Sequence, residues 1–120
     1  MNLITIDDLY DDLKSNADNI IVINVLSAQT FEECHITGSI NIPYAELTEK
    51  LSSLEKNKKI IVYCAHKDCP TAGNTYKALE EAGFTNLYYY KGGMREWVQT
   101  DLKTEGICEA NYLHELDRKE

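Results

Sequence analysis

Two thiols, Cys64 and Cys69, stand with four residues between them in the run Lys-Lys-Ile-Ile-Val-Tyr-Cys64-Ala-His-Lys-Asp-Cys69-Pro70. The β-branched run ends on a cysteine, a short loop follows, and Pro70 opens an amphipathic stretch. Cys64 is therefore expected where a strand hands over to a helix. The first N–H groups of a helix have no intrahelical partner, and its aligned peptide dipoles add positive potential there. A thiolate at Cys64 would be stabilised in that field. The chemistry this predicts is nucleophilic sulfur chemistry at Cys64, with His66 and Lys67 supplying positive charge and Asp68 opposing an anionic ligand. A buried cysteine at a strand end also serves plain packing, and the local residues leave both roles open.

The remaining candidate groups are Cys34, Cys108, His35, His66 and His114. There is no Cys-x-x-Cys pair, and the histidines do not fall into a usual zinc spacing with the cysteines, so no metal site is expected. An even count of four cysteines would suit a disulfide framework in a small exported domain. Here the first twelve residues are acidic where a signal peptide needs a basic start and a long apolar stretch. Free thiols and a cytoplasmic protein are expected.

The chain has 120 residues, 43% hydrophobic and 27% charged, which fits one globular domain with a modest core. Its formal charge of −8 argues against a nucleic acid or an acidic membrane surface as partner, because like charge repels both. No apolar segment approaches the roughly 20 residues that a membrane span requires.

Strand and helix signals alternate, and they must position the thiols. Leu3 to Thr5 suggest a short strand, and Ile6 to Ser15 a helix with Leu9, Tyr10 and Leu13 inward. Ile20 to Val25 read as a core strand, and Ser27 as the cap of a brief helix reaching about Glu33. A turn and a short extended piece lead to Pro43, which is expected to open a helix through Leu54 carrying Leu47, Leu51 and Leu54. Lys59 to Tyr63 form the next core strand, Pro70 to Ala82 a helix stopped by Gly83, and Asn86 to Tyr90 another strand. After the Gly92-Gly93 turn, Met94, Trp97, Val98 and Leu102 recur at helical spacing, with Lys91 and Arg95 read as solvated surface. Residues 1–105 are expected to form the domain, and 106–120 a helical extension of it with Ile107, Ala110, Leu113 and Leu116 as its apolar stripe. The alternation implies an α/β fold, a central mostly parallel sheet with helices on both faces. Ligands of such sheets bind beyond the carboxyl ends of the strands, where Cys64 falls.

Three motifs in register give the chain a resemblance to the single-domain rhodanese-like sulfurtransferase family. The first is Ile23 to Pro43, similar to the family's pattern around Asp-Val-Arg and Gly-His-Ile-Pro-Gly-Ala. The second is the strand-Cys64 loop, and the third joins Leu-Glu-Glu-Ala-Gly-Phe to Gly-Gly-Met-Arg-Glu-Trp. The resemblance implies that Cys64 takes sulfane sulfur from a donor as a persulfide and passes it to a thiophilic acceptor, with Ala65, His66, Lys67, Asp68 and Cys69 as the anion-binding loop. It implies no metal and no organic cofactor. The donor would be a small sulfur compound or a persulfide-donating protein, and the acceptor a thiol or cyanide, with no particular oligomeric state implied.

Departures from the family pattern refine these expectations. The loop matches the shorter one of the sulfurtransferases, whereas related phosphatases use one residue more around a tetrahedral oxyanion, so phosphate hydrolysis is disfavoured. Lys67 stands where glycine is common, and Cys69 where arginine, serine or threonine is common, which predicts weak activity with thiosulfate. Asn24 and Leu26 replace an aspartate and an arginine together, a structural change that leaves no orphan ion. Cys34 replaces glycine and is read as a small packed residue, and His35 as the organiser of a turn. Cys69 is a possible resolving thiol that attacks the Cys64 persulfide, provided the two α-carbons lie within about 7 Å. Two other readings stay open: a non-catalytic rhodanese-like binding or regulatory module, and a thiol redox protein using Cys64 and Cys69.

Overall fold

The computed structural model describes residues 1–116. Helix α1 (Ile6–Ser15) is capped by Thr5, whose hydroxyl accepts the Asp8 N–H, and its buried residue is Leu9. Strand β1 (Ile20–Asn24) leads to α2 (Ala28–Glu33), where Ser27 accepts the Thr30 N–H as expected. Strands β2 (Cys34–Ile36) and β3 (Ile40–Asn41) follow, then a 3-10 turn at Tyr44–Glu46, helix α3 (Leu47–Lys50) and another 3-10 turn at Leu51–Ser53. The second half holds β4 (Lys59–Tyr63), α4 (Thr71–Glu81), β5 (Leu87–Tyr90), α5 (Gly93–Gln99) and β6 (Thr104–Gly106). A final 3-10 turn spans Asn111–His114.

The main sheet runs β3-β1-β4-β5 with every pair parallel. Strand β4 lies inside it, so both of its faces need apolar cover, and its alternating residues supply it. Ile60, Val62 and Cys64 join the cluster under α3 and α4, while Ile61 and Tyr63 join the one under α1 and α5. The expected α/β architecture, a parallel sheet with helices on both faces, is what the chain adopts. Helix α4 ends as its sequence demands. Gly83 sits at φ +95°, and the Phe84 and Gly83 amides donate to the carbonyls of Leu79 and Glu80, closing the helix with Phe84 and Leu79 in the same core.

Several expectations are corrected. Leu3 to Thr5 make one parallel bridge, Leu3 to Tyr89, because Thr5 is taken by the α1 cap. Tyr10 is exposed rather than inward. The long helix from Pro43 to Leu54 is broken into three short pieces. In the last of them the Ser53 hydroxyl donates to the Lys50 carbonyl and competes with the backbone ladder. Over its described part, 106–116, the expected helical extension is instead the end of a strand and a 3-10 turn. The boundary drawn at 105/106 falls inside β6, which pairs antiparallel with β2, and Cys108 at φ +58° interrupts any helix. Of the expected stripe, Leu113 is buried, while Ile107 and Leu116 are 73% and 87% exposed. Residues 117–120 of that extension lie outside the described residues.

Candidate active site

Cys64 directly follows β4, one of the two inner parallel strands, and its side chain packs on the α4 side of the sheet. The loop from Ala65 to Cys69 joins it to α4, with Pro70 at the N-cap and the Asn74 amide donating to the Pro70 carbonyl. The strand-to-helix handover inferred from the β-branched run and the proline is thus in place.

The loop's shape is set from the opposite face. Met94 and Arg95, at the start of α5, donate their amides to the carbonyls of Cys64 and Ala65 at 3.0 and 2.9 Å. A trans peptide points its N–H opposite to its C=O. Drawing these two carbonyls toward α5 therefore turns the amides of Ala65 and His66 toward the α4 side, where the Cys64 side chain lies. The rest of the loop closes on itself. The Asp68 amide donates to His66 Nδ1 and the Cys69 amide to the His66 carbonyl. Of the loop expected to bind an anion, the Asp68 and Cys69 amides are thus engaged within the loop itself.

Cys64 and Cys69 are joined by a disulfide, with their α-carbons 6.3 Å apart. Cys34 and Cys108 form a second, with α-carbons 4.7 Å apart. The expectation of free thiols is thereby corrected, as is the reading of Cys34 as a merely packed residue. Pairing of β2 with β6 sets Cys34 opposite Gly106 and brings Cys108 beside it, a juxtaposition across 74 residues that carries no local signal. In the disulfide state Cys64 is 1% exposed, whereas Cys69 is half-buried at the margin of the same apolar cluster.

Asn24 and Tyr63 hold the ends of the two central strands together. Asn24 donates from Nδ2 to the Tyr63 hydroxyl at 3.0 Å and accepts the Leu26 amide at Oδ1. The Tyr63 oxygen also accepts the Ile36 amide and shares a bond with Ser39. Burial pushes the Tyr63 phenol up, and its hydrogen bonds oppose that shift. Asn24 is fully buried yet satisfied, and Leu26 packs against the α4-side core, so the pair replaces the charged residues structurally. His35, expected to organise a turn, bridges the Phe31 carbonyl and Glu105 and so ties α2 to β6.

Arg95 is not solvated surface. It is 8% exposed, and its Nε donates to the Tyr112 carbonyl at 2.7 Å while its guanidinium pairs with Glu115. Glu33, at the end of α2, takes the amides of Glu109 and Ala110 on Oε2, so the segment after β6 is strapped to α2 as well as to α5. The same residue whose backbone anchors the Cys64 loop thus holds this strap through its side chain. Sequence reasoning missed Gly93 as well. It sits at φ +67° against the loop, and its only local signal is a glycine pair opening a helix.

Among the described residues no group of three or more His, Cys, Asp or Glu is placed to hold a metal ion. No helix among them is long and apolar enough to cross a membrane.

A family profile described as the Rhodanese-like domain matches residues 5–100. A crystal structure of a protein from Bacillus halodurans superposes with a TM-score of 0.84 at 31% identity, covering 92% of this chain and 82% of that one. Thiosulfate sulfurtransferase GlpE of Coxiella burnetii is 29% identical over 79 residues, 66% of this chain and 72% of that protein. The Bacillus subtilis protein YqhL is 30% identical over 76 residues, which is 63% of this chain, and the match spans 59% of YqhL's own length.

Proposed function

Because the chain belongs to the rhodanese-like domain family, we propose that it is a sulfurtransferase or persulfide carrier acting through Cys64. The carrying observation is the place of that residue, at the carboxyl end of an inner parallel strand, under the start of α4 and facing the side to which the Ala65 and His66 amides turn. The name of the Coxiella relative, a thiosulfate sulfurtransferase, supports the same class.

In the first half-reaction the Cys64 thiolate attacks the sulfane sulfur of a donor. A Cys64 persulfide forms, the donor's S–S bond breaks, and the donor leaves as sulfite from thiosulfate or as a thiolate from a persulfide. In the second, cyanide or a thiol attacks the outer sulfur, and Cys64 departs as thiolate. The positive end of α4 and the inward amides stabilise the anionic sulfur in both steps. No cofactor is needed. Asp68 and the missing arginine or hydroxyl at Cys69 favour a persulfide donor over thiosulfate. A cytoplasmic setting belongs to the same proposal, because its thiol pool keeps Cys64 and Cys69 reduced between turnovers.

The test is thiocyanate formation from cyanide by pre-reduced protein, with thiosulfate and with a low-molecular-weight persulfide as donors. Above the rate without protein, product is expected with the wild type, more with the persulfide, and none with Cys64→Ser. Turnover above the protein-free rate that survives Cys64→Ser refutes the assignment.

A further inference from the structure

A Cys64 persulfide has an intramolecular exit in this fold. The α-carbons of Cys64 and Cys69 are 6.3 Å apart and their sulfurs are bonded, inside the separation of about 4.4–6.8 Å that disulfides span. The two sulfurs differ in access. Cys64 is 1% exposed within the α4-side core, while Cys69 is half-buried beside exposed Pro70. In a persulfide the transferred sulfur is bonded outside Cys64 Sγ. The inner sulfur, Cys64 Sγ, is walled off from an outside thiol but lies within bonding reach of Cys69.

We propose that the chain is also a dithiol-dependent persulfide reductase, an activity that rests on the Cys64 persulfide of the preceding reading. Cys69, as thiolate, attacks Cys64 Sγ. The Cys64–Cys69 bond forms, the bond to the outer sulfur breaks, and that sulfur leaves as hydrosulfide with the electron pair and the proton given up by Cys69. Two thiols are oxidised by two electrons, and one sulfane sulfur is reduced by two. The substrates are low-molecular-weight persulfides and inorganic polysulfides, and the products are sulfide and the parent thiol or shortened chain.

The disulfide is reset by a small or protein dithiol. Its first thiolate attacks Cys69, the more accessible sulfur, and Cys64 leaves as a thiolate at the start of α4, where a stabilised leaving group departs faster. The dithiol's second thiol then attacks the mixed disulfide, freeing Cys69 and leaving the reductant as its own disulfide. The roles of the two cysteines follow from their unequal burial, with Cys64 receiving sulfur and Cys69 facing the reductant.

The experiment is a single turnover of fully reduced protein, freed of reductant, with one equivalent of glutathione persulfide. Sulfide is measured, and the sulfur linkages are assigned by peptide mass mapping. The wild type is expected to release sulfide and to end with Cys64 bonded to Cys69. Cys69→Ser is expected to stop at a Cys64 persulfide and to lose sulfide release down to the level of Cys64→Ser, with far-UV circular dichroism confirming its fold. Wild type that holds a stable Cys64 persulfide without releasing sulfide overturns the reductase while leaving the sulfurtransferase reading intact. Absence of any Cys64 persulfide in the Cys69→Ser variant and the wild type, with no sulfide formed, defeats both. The wild-type measurement decides the matter even if a variant misfolds.

Discussion

A β-carbon on Gly93 would stand 2.7 Å from the carbonyl oxygen of Cys64, and 2.9 Å from the His66 nitrogen. The first turn of α5 therefore lies directly against the loop that begins at Cys64, with no room for a side chain between them. Only this approach lets the Met94 and Arg95 amides reach the Cys64 and Ala65 carbonyls. The orientation of the loop's first two amides is a property of α5 as much as of the loop.

Gly93→Ala is expected to be destabilising and to blunt Cys64 together. The left-handed backbone at φ +67° alone costs a non-glycine residue about 1–2 kcal/mol, and the contact with backbone atoms adds to it. The measurements are the urea midpoint and the alkylation rate of reduced Cys64. Gly73→Ala is the control, because it sits in α4 with only the tip of Met1 nearby, at 3.6 Å. It should leave alkylation unchanged and raise stability by about 0.5–1 kcal/mol.

Loss of the Cys34–Cys108 bond is expected to matter only when thiols are oxidised. It closes a loop across 74 residues, for which chain-entropy reasoning assigns stabilisation of about 4 kcal/mol, at the upper end of the range disulfides typically deliver. Cys108→Ser should lower the denaturation midpoint under oxidising conditions and match the wild type in excess dithiothreitol. Equal midpoints in both conditions would mean that the bond contributes nothing.

Alkaline pH should unfold the chain through its buried phenols. Burial, followed by the Glu33 charge, pushes Tyr112 from 10.0 up to about 12, and burial also raises Tyr63, Tyr89 and Tyr90. The folded state thus keeps protons that the unfolded state gives up. The resulting stability is complete below pH 10 and falls as pH rises toward 12. The Tyr112 hydroxyl is buried without a hydrogen-bond partner, so Tyr112→Phe should cost little at neutral pH and flatten the alkaline slope. Denaturant titrations at a series of pH values read both effects.

The parts of this protein legible in the residues themselves are those governed by neighbours in the chain. The β-branched run before Cys64, the Ser27 cap and the Gly83 stop each act within a few residues, and the structure has all three. Read together with the family motifs, they also locate the β4–α4 loop. An apolar repeat alone was an uneven guide: it found α1 and α5, yet Leu47, Leu51 and Leu54 do not carry one helix, and Ile107 and Leu116 do not share a buried face with Leu113. An apolar side chain is satisfied by any cover, and what covers it is settled by distant segments. The tertiary structure alone decided that Arg95 turns inward to hold the strap, that Cys34 meets Cys108, and that Gly93 presses on Cys64. Each of these is a contact between residues far apart in the chain, made only once the sheet and its flanking helices bring their backbones together. Short-range propensities contain no record of such distances, and the sheet's order creates them.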